Sequence, residues 1–239
     1  MPRNKCRTCA IRNVALCRAL PSDALAQLNR IAQRRKVPAG QQLFDPDQRP
    51  QLVANIISGV ARLSRSLADG RTQIVALQFP PEFLGRPHAI GGSILIEAAT
   101  DMELCCFTRA QFEALLQHHP RLQELLVEHM AHKLDQAREW MLLLGRKTAE
   151  ERVASLVLLC AERMLTASCA LAADIERVHF EMPLSRTEMA DFLGLTLETV
   201  GRMMQRLARS GIIEIKPRRG MGIIDIAQLR RAAGINDTP

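Results

Sequence analysis

Between Pro120 and Gly145 the chain runs without a glycine or a proline. Backbone free of both breakers over that length is helix backbone. Leu122, Leu126, Met130, Lys133, Ala137, Met141 and Leu144 recur at spacings of mostly three and four, which lines them up along one side. The pattern predicts a helix over residues 118–146 with a heptad-like seam, and such a seam pairs two chains. Leu126, Met130, Ala137, Met141 and Leu144 are the expected dimer interface. A helix packed on its own core is the alternative, since Lys133 interrupts the stripe.

This rod divides two unlike halves. Before it, Leu52 to Ser58, Ala61 to Ser66, Thr72 to Phe79, Ser93 to Ala98 and Met102 to Phe107 read as short strands. Turn signals stand at Pro46-Asp47, Asp69-Gly70, Pro80-Pro81 and Gly91-Gly92. Residues 21–117 are therefore expected to form an antiparallel β-roll. After the rod, Thr148-Ala-Glu-Glu151 is a capping box that opens a new helix carrying Val153, Leu156, Val157 and Cys160. The expected fold class is α+β, with parts at 1–20 (cysteine-bearing segment), 21–117 (roll), 118–146 (helix) and 147–239.

The last part holds a second capping box, Ser185-Arg-Thr-Glu188, opening a helix with Met189, Phe192 and Leu193 on its apolar face. Gly194 supplies a turn, and Thr196 caps another helix whose Val200, Met203, Met204 and Leu207 form a buried stripe. The opposite face presents Glu198, Gly201, Arg202, Gln205 and Arg209. A guanidinium can pair with guanine O6 and N7, and a carboxylate can accept from cytosine N4, which is what major-groove reading requires. Glu198 and Arg202 at i, i+4 would otherwise make an ordinary exposed ion pair. Ile212 to Ile215 and Gly222 to Ile226 flank Lys216-Pro-Arg-Arg-Gly220 as a hairpin wing with a basic tip for phosphate. The expected DNA-facing set is Ser185, Thr187, Thr196, Glu198, Thr199, Gly201, Arg202, Arg206 and Arg218.

Charge agrees with this placement. Of a net +7, residues 1–21 hold five basic and no acidic side chains, and residues 185–239 hold nine basic against six acidic. Neither a secretion signal nor an apolar run long enough for a bilayer is evident, so a cytoplasmic home is expected, with no membrane partner. Seven cysteines in a reducing compartment read as ligation or redox chemistry rather than disulfides. Cys6, Cys9 and Cys17 stand in the basic segment with Arg3, Lys5, Arg7 and Arg12. A fourth ligand would come from Cys105 or Cys106, which strand alternation sends to opposite faces. Tetrahedral zinc and an iron–sulfur cluster both suit such thiols. Cys160 and Cys169 read as plain thiols.

The order of roll, long helix, Leu142-Leu-Leu-Gly-Arg-Lys-Thr-Ala-Glu-Glu-Arg152 and Leu193-Gly-Leu-Thr-Leu-Glu-Thr-Val-Gly-Arg202 resembles the CRP/FNR superfamily of bacterial regulators over essentially the whole chain. The resemblance implies a cupin-like, cyclic-nucleotide-binding-like roll, a dimerisation helix and a winged helix-turn-helix. It also implies a non-enzymatic homodimer that binds an inverted repeat in double-stranded DNA and engages RNA polymerase. The FNR branch's Glu-x-x-Ser-Arg signature appears here as Glu198-Thr-Val-Gly201-Arg202, and Leu197 stands where the CRP branch has arginine. The implied half-site core is TGA. Cys105 fits the Cys-x-(Phe/Ile) pattern by which FNR-type regulators supply their fourth ligand, so the implied set is Cys6, Cys9, Cys17 and Cys105 around a [4Fe-4S] cluster.

The mechanism implied is oxygen- and redox-responsive. An intact cluster packs the N-terminal segment near the long helix and favours the dimer, and its loss frees monomers. The CRP branch's phosphate cassette, Gly-Glu…Arg-(Ser/Ala)-(Ala/Thr), is not matched between Phe79 and Ala99, whose second half lacks the arginine and where Arg86 alone could not clamp a phosphate. Other readings are a regulator of the same family that senses zinc, haem (through His88) or a small molecule, and a thiol redox protein built on Cys6 and Cys9.

Overall fold

The computed structural model describes residues 6, 8–44, 51–85, 94–167 and 178–235. Arg3, Lys5, Arg7, Arg86, His88, Ser93, Cys169 and the turn signals Pro46-Asp47 and Gly91-Gly92 lie outside them. The chain divides into two units, residues 1–65 with 76–136 and residues 66–75 with 137–239.

A single 3₁₀ turn at Leu16–Ala19 precedes helix α1 (Ser22–Ile31). Eight strands follow: β1 (Gln33–Val37), β2 (Gln42–Phe44), β3 (Leu52–Ser58), β4 (Ala61–Ser66), β5 (Thr72–Gln78), β6 (Phe83–Leu84), β7 (Leu95–Ala98) and β8 (Met102–Thr108). They form two four-stranded sheets in the orders β1-β8-β3-β6 and β2-β7-β4-β5. Every described pairing between them is antiparallel. That is the expected roll.

Alternation within each strand builds two cores. Ala54 and Ile56 from β3, Leu84 from β6, and Met102, Leu104 and Cys106 from β8 join Val37, Leu43, Ala61 and Ala98 in one. Their neighbours Val53, Phe83 and Phe107 face the other way and meet Leu16, Leu20, Ala24 and Leu28. The same core takes Phe112, Leu115 and Leu116 of helix α2 (Arg109–His118) and Leu122 and Leu125 of helix α3 (Pro120–Arg146). The sequence reading missed α1 and α2. The second is set by a capping box in which Thr108 Oγ1 accepts from Gln111 N–H at 3.3 Å while Gln111 Oε1 accepts from Thr108 N–H at 3.3 Å.

The apolar residues of α3 occupy two adjacent faces. Leu126 is half-buried against the second core, and Lys133 forms an ion pair with buried Glu82. The exposed row runs Val127, Met130, Leu134, Ala137, Met141, with Val127 at 68% and Met141 at 63% exposure. Half-buried Leu144 continues it. The strict three-four alternation of that row is the spacing of a coiled-coil seam, with Val127 and Leu134 standing one residue beyond the expected Leu126 and Lys133.

In the second unit, α4 (Ala149–Ala167) is followed by β9 (Val178–Glu181), α5 (Arg186–Leu193), α6 (Leu197–Arg209), β10 (Ile213–Ile215), β11 (Gly220–Ile223) and α7 (Ile226–Ala232). Helix α4 packs on α6 and α7. The wing is three-stranded, in the order β10-β11-β9. Ile226, read from sequence as strand, instead opens α7, because Asp225 caps that helix by accepting from Gln228 N–H at 2.8 Å. No described helix is long and apolar enough to cross a membrane.

Gly59 and Gly40 have nearly the same left-handed backbone, with φ of 82° and 81°. A Cβ on Gly40 meets nothing within 4 Å, whereas one on Gly59 would collide with the Asp101 carbonyl and lie 2.8 Å from Met102 Cγ. Alanine at either should cost about 1–2 kcal/mol for the backbone. Gly59→Ala should cost roughly 1–3 kcal/mol more for the clash, read as the difference between the two urea midpoints. Equal losses would refute the steric assignment.

Candidate metal centre and nucleic-acid interface

Cys6, Cys9 and Cys17 lie in the described part of the N-terminal segment, each half-buried. The Cys6 backbone N–H donates to Asn29 Oδ1 on α1 at 3.2 Å, tying the segment to the first unit. Cys17 and Cys105 pack against the same apolar core, the one beneath α1, α2 and α3. Cys106 lies on the opposite side of β8, inside the roll and 5% exposed. The pleat of β8 thus sends one of the two adjacent cysteines toward the N-terminal thiols and the other away from them.

Cys6, Cys17 and Cys105 are all held above the ordinary thiol value. Burial pushes Cys17 up to about 11, and the thiolate charges of Cys9 and Cys6 add to the shift. Burial pushes Cys105 up to about 12, followed by the charges of Cys6, Cys9, Cys17 and Cys106. Burial and then Cys9 also raise Cys6, against Arg34 and Arg12. Burial raises Cys106 as well, against the charge of Arg35, so it is its place inside the roll that separates it from the other thiols. Among the described residues no three His, Cys, Asp or Glu side chains gather as a single-ion site. The donor set, all soft thiols on an apolar floor with cationic neighbours, fits an anionic iron–sulfur cluster.

Of the basic residues expected to balance that charge, Arg12 is close enough to act on Cys6 and Cys17. Arg34 was missed, because it lies in β1, seventeen residues beyond Cys17. Its guanidinium is held first by a hydrogen bond to Glu103 Oε1 at 2.8 Å, with the charge of Glu103, then Cys9 and Cys105, reinforcing it.

At the other end, Ser185 and Glu188 form the expected capping box on α5, at 3.3 Å and 2.6 Å. Gly194 ends the helix in the left-handed region, φ 62°. Thr196 caps α6 by accepting from Thr199 N–H at 3.2 Å. Val200, Met204 and Leu207 are buried, while Glu198, Arg202, Gln205, Arg206 and Arg209 are exposed. Thr187 is exposed on α5. Glu198 is fully exposed and held below the usual carboxylate range, first by its own backbone N–H and then by Thr196. No ion pair joins it to Arg202 among the described residues, so both reach solvent unpaired. Arg206 pairs with Glu150 at 3.1 Å. A Cβ on Gly201 would meet nothing within 4 Å. Arg218, at the wing tip, is exposed and has φ 53°.

Sequence reading also missed what fixes α5. Its last carbonyls take donors from elsewhere in the unit: Gln73 Nε2 donates to Phe192 O at 3.0 Å and Arg152 Nη1 to Leu193 O at 3.1 Å. The indole of Trp140 stacks on the Phe192 ring with centroids 4.3 Å apart.

Known proteins agree with this geometry. The Crp-like helix-turn-helix domain matches residues 151–232, and the cyclic nucleotide-binding domain matches residues 34–119. The chain is 41% identical over 231 residues to the transcriptional activator protein FnrL of Cereibacter sphaeroides, covering 97% of this chain and 92% of that one. It is 34% identical over 228 residues, 95% of this chain and 93% of the other, to the nitrogen fixation regulation protein FixK of Bradyrhizobium diazoefficiens. The solved structure of FixK2 from Bradyrhizobium japonicum aligns with a TM-score of 0.73 at 28% identity, over 87% of this chain and 99% of that chain.

The raised thiols have a consequence for the metal-free protein. Both shifts favour the neutral form, so they help the fold below the ordinary value of 9.0, and that help is lost as pH rises through about 11 for Cys17 and about 12 for Cys105. The urea midpoint of metal-free protein should fall between pH 9 and pH 11, and less steeply in Cys17→Ala. An unchanged slope in that variant would remove Cys17 from the account.

Proposed function

The chain belongs to the CRP/FNR family of DNA-binding transcription regulators, and from that footing we propose an oxygen- and redox-responsive homodimer whose Cys6, Cys9, Cys17 and Cys105 thiolates hold a [4Fe-4S] cluster. The placement of Cys17 and Cys105 on one apolar core, with Cys6 tied to α1 beside it and Cys106 on the opposite side of β8, is the observation that carries the reading. When bound, the cluster supplies oxygen-labile iron and a link between residues 6–17 and β8.

The protein's own residues do the rest. The Asn29 side chain and the apolar core hold the cysteine segment against the first unit. The exposed row from Val127 to Leu144 on α3 is the dimer seam, keeping three of the expected residues, Met130, Ala137 and Met141, exposed on it. Two α6 helices then address half-sites one DNA turn apart. Arg202 reads guanine and Glu198 the cytosine-bearing strand of a TGA half-site, while Arg218 meets phosphate. Thr187, Thr196, Thr199 and Arg206 flank this face, and Ser185 shapes it through its cap. The site of action is the cytoplasm, and RNA polymerase is the partner on the promoter. A nucleotide-sensing roll has less support, because the second half of the cassette lacks its arginine.

Protein purified without oxygen should be brown and bleach in air. Serine at Cys6, Cys9, Cys17 or Cys105 should abolish the colour, and Cys106→Ser should keep it. A colourless anaerobic preparation with stoichiometric zinc would defeat the reading.

In competition binding with half-site variants, Arg202→Ala should lose roughly 1–3 kcal/mol of discrimination at the guanine. Arg218→Ala should weaken all sequences alike and lower the salt slope by about one. Equal loss by Arg202→Ala on TGA and its guanine-substituted form would make Arg202 a phosphate clamp.

A further inference from the structure

Cys105 is flanked within its sheet. Arg34 stands directly across from it on β1 and Asn55 directly across on β3. Asn55 is in turn opposite Phe83 of β6. Residues directly opposite in antiparallel strands point to the same face, with Cβ atoms about 4.5–5.5 Å apart. Arg34, Cys105, Asn55 and Phe83 therefore form one row across the sheet, on the face turned to the N-terminal thiols. Phe83 stacks on Phe112 at 4.8 Å and closes the far end of the row with an apolar wall.

Asn55 is out of place in that wall. It is 4% exposed, and its Oδ1 has no hydrogen-bond partner. Burying an amide without a partner costs about 1–3 kcal/mol, and Val53 and Phe107, the next pair along the same face, are apolar. A buried polar group retained beside a ligating thiol has a use there. Turning the amide by 180° presents its N–H₂ in place of the oxygen, a donor for a thiolate sulfur on the same row.

We propose that Asn55 and Arg34 form a two-sided polar cradle for the sulfur of Cys105, Asn55 donating an N–H to it and Arg34 supplying positive charge, and that together they set the reduction potential and air lifetime of the group the four thiolates hold. Glu103 positions Arg34 through its 2.8 Å hydrogen bond. Donors and positive charge beside cluster sulfurs favour the added electron. Their removal makes the group harder to reduce and easier to oxidise.

This inference rests on the four-thiolate reading above. The test is potentiometric titration with dithionite and air-bleaching kinetics on full-length wild type, Asn55→Leu, Arg34→Met and Arg34→Lys, all purified without oxygen. Asn55→Leu and Arg34→Met should each hold the added electron about tenfold more weakly, a potential lower by about 59 mV, and bleach several-fold faster. Arg34→Lys should recover most of the loss. Brown variants with wild-type potential and bleaching rate would overturn the cradle and leave the cluster standing; a colourless wild type would overturn both. If Asn55→Leu does not fold, Arg34→Met, at a side chain 32% exposed, decides by the same measurements.

Discussion

Strand β8 is paired on both sides, with β1 and with β3, and its pleat is the constraint on which the first unit depends. A central strand cannot slip by one residue without exchanging its two faces. Here one face feeds Met102, Leu104 and Cys106 to the interior of the roll, and the other feeds Cys105 and Phe107 to the helices. A slip would carry Glu103 into the roll and exchange the faces that Cys105 and Cys106 occupy. Core packing and the direction in which each cysteine faces are thus enforced by the same register.

The second unit solves a different problem, how to hold two short helices stiffly enough to present side chains to a groove. Helix α5 has only eight residues, too few to be stable on its own. Its start is closed by Ser185 and Glu188, and its end by Gly194 together with the borrowed donors of Gln73 and Arg152. Helix α6 is then carried by its buried stripe on α4 and α5. The outward face is left free of packing duty, which is why a glycine at position 201 costs nothing in fit.

Much of this was legible in the chain. The breaker-free rod, both capping boxes, the turn glycine and the alternation at Cys105 and Cys106 are local signals, and local signals survive in a linear sequence. What stayed hidden depends on distant partners. Helix α2 continues directly from β8, so no turn residue marks the change. The two-residue strand β6 exists only because β3 offers it an edge. Leu126 and Val127 are adjacent apolar residues, and only the roll beneath α3 decides which of them turns inward. Arg34 and Asn55 carry no motif, and their place beside Cys105 appears only when three strands are in register.

Trp140 is the one tryptophan in a chain without tyrosine, and its ring lies on Phe192 at the end of α5. Ultraviolet emission from this protein therefore originates at a single indole, seated where the long helix meets the helix-turn-helix. Any rearrangement that lifts that helix pair from its support changes the colour and polarisation of the emitted light, so the molecule carries its own optical gauge at the joint that matters for DNA recognition.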